Sequence, residues 1–128
     1  MKGAITMGNT NSIYRLWLKE EQVKRSIHID DNLYEKLQDL SENVFEASVS
    51  RIVNVAIEYC LCQENPNIKY YKKPKGVESI YRSILLKKSF YDKLVSIREN
   101  TGISVSRLLN YCIKIFLEDY DEYFRSIR

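Results

Sequence analysis

Two stretches of the chain alternate apolar and polar residues, and each is followed by stretches whose apolar residues recur every three or four positions. From Val23 to Ile29 the odd positions are Val, Arg, Ile and Ile and the even ones Lys, Ser and His. That parity predicts a half-buried strand in which Arg25 is the exception on the inner face. From Ile80 to Leu86, one face carries Ile80, Arg82, Ile84 and Leu86 and the other Tyr81, Ser83 and Leu85. Asp30-Asp31-Asn32 and Lys87-Lys88-Ser89 follow, where Asn32 and Ser89 suit helix N-caps. Apolar residues at 33, 37 and 40, and at 90, 94 and 97, then predict a short amphipathic helix each time. A break spans residues 44–47 in the first run and 101–103 in the second, with Gly102 suited to a helix C-terminus. Ser48 and Ser104 are predicted to cap second helices, Val49 to Cys62 and Val105 to Glu118. These are apolar nearly all round in their middles, so they belong at the centre of a core.

The parallel runs are an internal repeat. Arg25-Ser26-Ile27 recurs as Arg82-Ser83-Ile84, Leu33-Tyr34-Glu35-Lys36-Leu37 as Phe90-Tyr91-Asp92-Lys93-Leu94, and Glu42-Asn43 as Glu99-Asn100, all at an offset of 57. Ser48-Val49-Ser50-Arg51 recurs as Ser104-Val105-Ser106-Arg107, and Asn54 as Asn110, at an offset of 56. One such unit has a strand without a partner and too little surface to bury. Two units solve both problems if their strands pair antiparallel above four helices. The expected fold is therefore mainly α with a short two-stranded antiparallel β-ribbon, two units in one chain forming a pseudo-dimer. The expected divisions are an N-terminal arm with a short helix (1–21), a first unit (22–62), a basic linker (63–78), a second unit (79–118) and a C-terminal tail (119–128). Pairing each strand with the like strand of another chain is the competing arrangement; the linker's effective concentration favours pairing within the chain.

Strand, amphipathic helix, turn and buried helix, in that order and twice, resemble the ribbon-helix-helix family of DNA-binding proteins. The resemblance rests on the Lys24-to-Ile29 strand, the Leu33/Leu37/Leu40 helix, the Ser48-Val49-Ser50-Arg51 helix opening and their counterparts, and covers about 95 of the 128 residues. The tandem fused form is similar to archaeal-virus transcriptional regulators. What the resemblance implies is a sequence-specific double-stranded DNA-binding transcriptional regulator, such as a repressor, that places its ribbon in the major groove. The alternative is an antitoxin-like protein that binds DNA and a partner protein.

Charge changes the picture next. The net charge of +3 conceals blocks: residues 1–29 sum to +3, 30–64 to −6, 65–88 to +6, 89–117 to +2 and 118–128 to −2. Two basic zones surround the two strands, which suits a polyanion. With 45% apolar and 29% charged residues the composition is that of a globular chain, not a disordered one. The absence of an apolar run of ~18–20 residues and of an apolar leader core predicts no membrane association and a cytoplasmic location, the host cytoplasm for a viral protein. Three cysteines and one histidine leave little material for a disulfide scaffold, a metal centre or acid–base catalysis. No enzyme activity, cofactor or metal is expected, and Cys60, Cys62 and Cys112 read as small core residues.

The candidate base-contacting residues are those of the outer parity, Lys24, Ser26, His28, Tyr81, Ser83 and Leu85. Lys donates to guanine O6 and N7, Ser bonds in either sense, His donates or accepts, and Leu packs on a thymine methyl. The bland reading is a solvated face; Tyr81 and Leu85 speak against it. Arg25 and Arg82 either hold phosphate or satisfy a carboxylate such as Asp39 or Glu42. By resemblance, main-chain N–H groups at Ser48, Val49, Ser104 and Val105 anchor phosphate, as free amides at a helix N-terminus do in general. Glu46 sets an acid near the first of these anchors. Lys72, Lys73 and Lys75 in the linker are further phosphate candidates, with a solvated connector as the alternative. Arg51/Arg107 and Asn54/Asn110 read as structural pairs across the helices. Ile13, Leu16 and Trp17 have helical spacing and suit packing on the core or on a neighbour, and the acidic, aromatic stretch from Glu118 to Arg128 either extends the last helix or binds another copy; self-association through the arm or the tail is expected on those grounds.

Overall fold

The computed structural model describes residues 21–61, 73 and 75–127, the stretch 121–127 as helix backbone. The elements run β1 (Gln22–Asp30), α1 (Asp31–Asn43), α2 (Val49–Leu61), β2 (Ser79–Lys87), α3 (Lys88–Thr101) and α4 (Val105–Ile127). The molecule is thus mainly helical, with one two-stranded antiparallel sheet. The strands pair within the chain. Ser26 faces Ser83 at the middle of the ribbon, Lys24 faces Leu85 and His28 faces Tyr81.

Each strand is one residue longer at either end than its alternation predicts, and this moves the helix starts. Asp30 and Lys87 occupy the cap positions of α1 and α3 without a side-chain cap bond. Asn32 and Ser89, expected as caps, lie inside the first turn. The amide of Asp31 donates instead to Glu78 O at 2.9 Å, and that of Lys88 to Glu21 O at 2.8 Å. A carbonyl just ahead of the opposite strand thereby satisfies each helix start. The second helices begin as expected: Ser48 Oγ accepts from the Arg51 amide at 3.1 Å and Ser104 Oγ from the Arg107 amide at 3.2 Å. Gly102 ends α3 at φ 79°, where a side chain would be strained. At the corresponding turn Glu46 takes φ 50°.

The inner face of the ribbon supplies Ile27, Ile29, Ile84 and Leu86 to a single core. α1 adds Leu33, Leu37 and Leu40, whereas in α3 only Leu94 is fully buried and Phe90 and Ile97 are half-covered. α2 and α4 run through the centre, burying Ile52, Val53, Ala56 and Ile57 against Leu108, Leu109, Ile113 and Phe116. Cys60 and Cys112 are buried free thiols, as small core residues; Cys62 lies outside the described residues. A hydrogen bond to Cys60 and burial push the Cys112 thiol up.

One further expectation changes: the apolar sides of α2 do not all face the core, since Val55 and Tyr59 remain 43% and 39% exposed. The tail extends the last helix, one of the two roles read for it, so that α4 runs to Ile127. At its root the Tyr59 hydroxyl donates to Asp119 Oδ2, and this bond, with partial burial, raises the phenol above its ordinary pKa. Among the described residues no helix is long and apolar enough to cross a membrane.

Candidate nucleic-acid interface

All six residues of the outer parity share one face, in three facing pairs: Lys24 with Leu85, Ser26 with Ser83, and His28 with Tyr81. Tyr81 is 67% exposed and Leu85 42%, Lys24, Ser26 and Ser83 are exposed, and His28 is half-buried. The His28 and Tyr81 rings meet edge to face, with centroids 3.7 Å apart, and His28 Nδ1 shares a 3.3 Å hydrogen bond with Ser79 Oγ. The face therefore offers an ammonium at one end, two hydroxyls in the middle and an imidazole–phenol pair at the other. Water does not account for Tyr81 and Leu85 there: large apolar groups gain by leaving it.

A two-stranded ribbon has two open edges, each a row of backbone donors and acceptors in need of partners. Here α2 and α4 supply them, each to the strand of the other unit. Asn54 Oδ1 accepts from the Lys87 amide at 2.9 Å, its Nδ2 donates to Leu85 O at 2.9 Å, and Ser50 Oγ accepts from the Leu85 amide at 3.1 Å. On the other edge Asn110 Oδ1 accepts from the Asp30 amide at 3.0 Å, its Nδ2 donates to His28 O at 2.8 Å, and Ser106 Oγ accepts from the His28 amide at 3.3 Å. Each amide nitrogen also donates to its own helix, to Ser50 O and Ser106 O. The repeated asparagines, expected to pair across the helices, clamp the ribbon instead. Their signal in the sequence is a polar residue repeated at the same place in two otherwise apolar helices.

The clamps carry the helix N-termini up to the ribbon. Ser48, Ser50 and Arg51 border a cavity with Gln22 and Leu85, and Ser106 and Arg107 border another with His28, Ser79 and Lys73. The amides of Val49 and Ser50, and of Val105 and Ser106, have no carbonyl a turn earlier to bond. Both helix starts thus present N–H groups and a positive dipole end beside the outer face. Glu46, an exposed acid, lines the first cavity, whereas the acid at the second is the buried Asp30, accompanied by Lys73. Lys73 and Lys75 are exposed, Lys73 within reach of the second helix start; Lys72 lies outside the described residues.

The two ribbon arginines are held differently. Each stacks on the tyrosine of the other unit's first helix, Arg82 over Tyr34 at 3.7 Å and Arg25 over Tyr91 at 4.8 Å from the ring centroid. Arg82 is half-buried and bonds Asp31 at 3.2 Å, a different carboxylate from the expected Asp39 or Glu42. Asp39 instead accepts a hydrogen bond from Asn43. Arg25 is exposed and donates to the Lys24 carbonyl at 2.9 Å.

No family model matches the chain, and neither a curated protein nor a solved structure matches it.

Proposed function

We propose that this chain is a sequence-specific double-stranded DNA-binding transcriptional regulator of the ribbon-helix-helix type, with its two units forming a pseudo-dimer. The outer face of the ribbon enters the major groove, where a two-stranded ribbon fits and base edges are distinguishable. Lys24, Ser26, His28, Tyr81, Ser83 and Leu85 contact bases. The amides at Ser48, Val49, Ser104 and Val105 hold the flanking phosphates, assisted by Arg25 and by Lys72, Lys73 and Lys75 of the linker.

The observation that carries this reading is one combination: an exposed, chemically mixed ribbon face with an open helix N-terminus at each side. Face and flanks divide the work that duplex recognition needs, base reading from phosphate positioning. The reciprocal asparagine clamps support it further, because they hold the helix starts at fixed distances from the strands. A readout geometry has to be rigid to discriminate.

A salt titration of binding to duplex DNA tests the reading. Each neutralised phosphate contributes ~0.9 to the slope of log affinity against log salt, so several contacts give a slope of several units. A flat slope, or no duplex binding, sinks it. Selection of bound duplexes from a random pool then identifies the preferred site.

A further inference from the structure

The two units differ on one flank. Phe45, Ala47, Ile52, Val55 and Phe116 line an apolar groove of about 320 Å³ between α2, the turn before it and α4. Val44, Phe45 and Val55 are 46%, 44% and 43% exposed, an unusual concentration for a small surface. Among the described residues the second unit lacks these apolar groups: Thr101 and Gly102 stand where Val44 and Phe45 do, and Tyr111 in the place of Val55 is half-buried.

What precedes each strand differs in the same sense. In the second unit Lys73, six residues ahead of Ser79, lies in the cavity beside Ser106, Arg107 and Asn110. The repeat offset of 57 puts Leu16 in the place of Lys73 and Gln22 in that of Ser79. The corresponding cavity of the first unit, bordered by Gln22, Ser50 and Asn54, shares Ala47 and Arg51 with the apolar groove. The chain ahead of β2 is basic, with Lys69, Lys72, Lys73 and Lys75, and the cavity beside it is polar. The chain ahead of β1 carries Ile13, Leu16, Trp17 and Leu18, and the cavity beside it, polar as well, adjoins the groove through Ala47 and Arg51. Trp17 is five residues from Gln22, a reach of up to ~17 Å for an extended chain.

We propose that residues 13–18 of the same chain dock into the groove of Phe45, Val55 and Phe116, with Trp17 as the anchor. An indole covers ~150–250 Å² of apolar surface, enough to close a groove of this size. The occupant is in cis because the tether ends at the groove's own neighbour, Gln22, and because, among the described residues, the exposed apolar turn of Val44 and Phe45 belongs to the unit whose strand an apolar segment precedes.

Trp17 is the only tryptophan, so its emission and its quenching by acrylamide report the contact in the full chain. The expected result is a blue-shifted, weakly quenched emission that dilution does not change. Val55→Lys shifts it to the red and raises quenching several-fold while the far-ultraviolet circular dichroism stays the same. Leu16→Glu, on the segment itself, does likewise, and Glu58→Lys, a charge change on the same helix, does not. A wild-type Trp17 that emits as free indole overturns the proposal, as does a blue-shifted emission indifferent to Val55→Lys. A blue shift that fades on dilution, with sedimentation as a dimer, overturns it in favour of a second copy in the groove.

Discussion

The Arg82 guanidinium lies 3.7 Å from the Tyr34 ring centroid and 3.2 Å from Asp31 Oδ1, whereas the equivalent of Asp31 beside Arg25 is Lys88. One substitution in the repeat thus separates two arginines that the ribbon pattern makes equal. Arg82 is tied down by a ring and a carboxylate, and its Nε is buried without a hydrogen-bond partner among the described residues. Arg25 keeps the ring at 4.8 Å and remains exposed, while Lys88 turns to Asp92 at 2.8 Å. Cation–π contacts contribute ~0.5–1 kcal/mol when exposed and ~2 when desolvated, and a partly exposed ion pair adds at most ~1.

Arg82→Ala is therefore expected to lower stability by about 2–3 kcal/mol and Arg25→Ala by about 1 or less, read from urea denaturation. Binding should show the reverse order. Arg25→Ala removes ~0.9 from the salt slope by deleting one phosphate contact, and Arg82→Ala leaves the slope unchanged. Equal losses in both experiments would mean that the Asp31 contact does not distinguish the two sites.

The asparagine clamps give a larger effect. Asn54→Ala orphans the Lys87 amide and the Leu85 carbonyl, and Asn110→Ala orphans the Asp30 amide and the His28 carbonyl. An unsatisfied buried polar group costs ~1–3 kcal/mol, so each variant should lose about 2–4 kcal/mol. Hydrogen exchange localises the damage: the Lys87 amide loses protection in Asn54→Ala and the Asp30 amide in Asn110→Ala. Loss of protection spread evenly over the ribbon in both variants would argue against two separate clamps.

These clamps mark the boundary of what the sequence reveals. Strand parity is a local property, and Ile27, Ile29, Ile84 and Leu86 turn inward as alternation requires, although Ile80, of the same parity near the start of β2, stays 49% exposed. The repeat makes the pairing legible too, because Ser26 and Ser83 are equivalent and meet at the ribbon's centre. Asn54 and Asn110 are legible as repeated polar positions but not in their role. Their partners are backbone groups on a strand that lies 31 to 33 residues away for Asn54 and 80 to 82 for Asn110, and no side-chain pattern encodes a backbone donor. The α1 and α3 starts escape the sequence for the same reason, since the carbonyls of Glu78 and Glu21 replace the side-chain caps that Asn32 and Ser89 suggest. The residues of the outer face follow from alternation alone; the coupling of His28 to Tyr81 needs the register.

The serine pair at the centre tests the base-reading role. Ser26 and Ser83 are exposed and face each other, and the described hydrogen bonds of the core do not involve their hydroxyls. Ser26→Ala with Ser83→Ala should leave the denaturation midpoint and the affinity for random duplex nearly unchanged. Affinity for the selected site should fall, by about 0.5–1.5 kcal/mol for each hydroxyl–base hydrogen bond lost. A parallel fall on both kinds of DNA would show that the pair does not read bases.

The ribbon's outer face also predicts the symmetry of the site it prefers. Ser26 opposite Ser83 is the centre, and the two halves on either side would be alike if the units were identical. They are not: one half pairs the Lys24 ammonium with the Leu85 side chain, the other the His28 imidazole with the Tyr81 phenol. Lysine suits the acceptors of guanine and leucine the thymine methyl, while the histidine–tyrosine pair offers donors and acceptors in a fixed edge-to-face arrangement. The flanks differ as well, since Glu46 sits beside the first helix start and Lys73 beside the second. A single chain should therefore select a non-palindromic sequence, with stronger phosphate protection on the side of Ser104 than on that of Ser48. Exchanging the halves, Lys24→Tyr with His28→Leu, makes both strands read Tyr, Ser, Leu at the outer positions and should move the selected site towards a palindrome. A perfect palindrome selected by the wild-type chain would instead indicate that like strands of two chains pair on DNA.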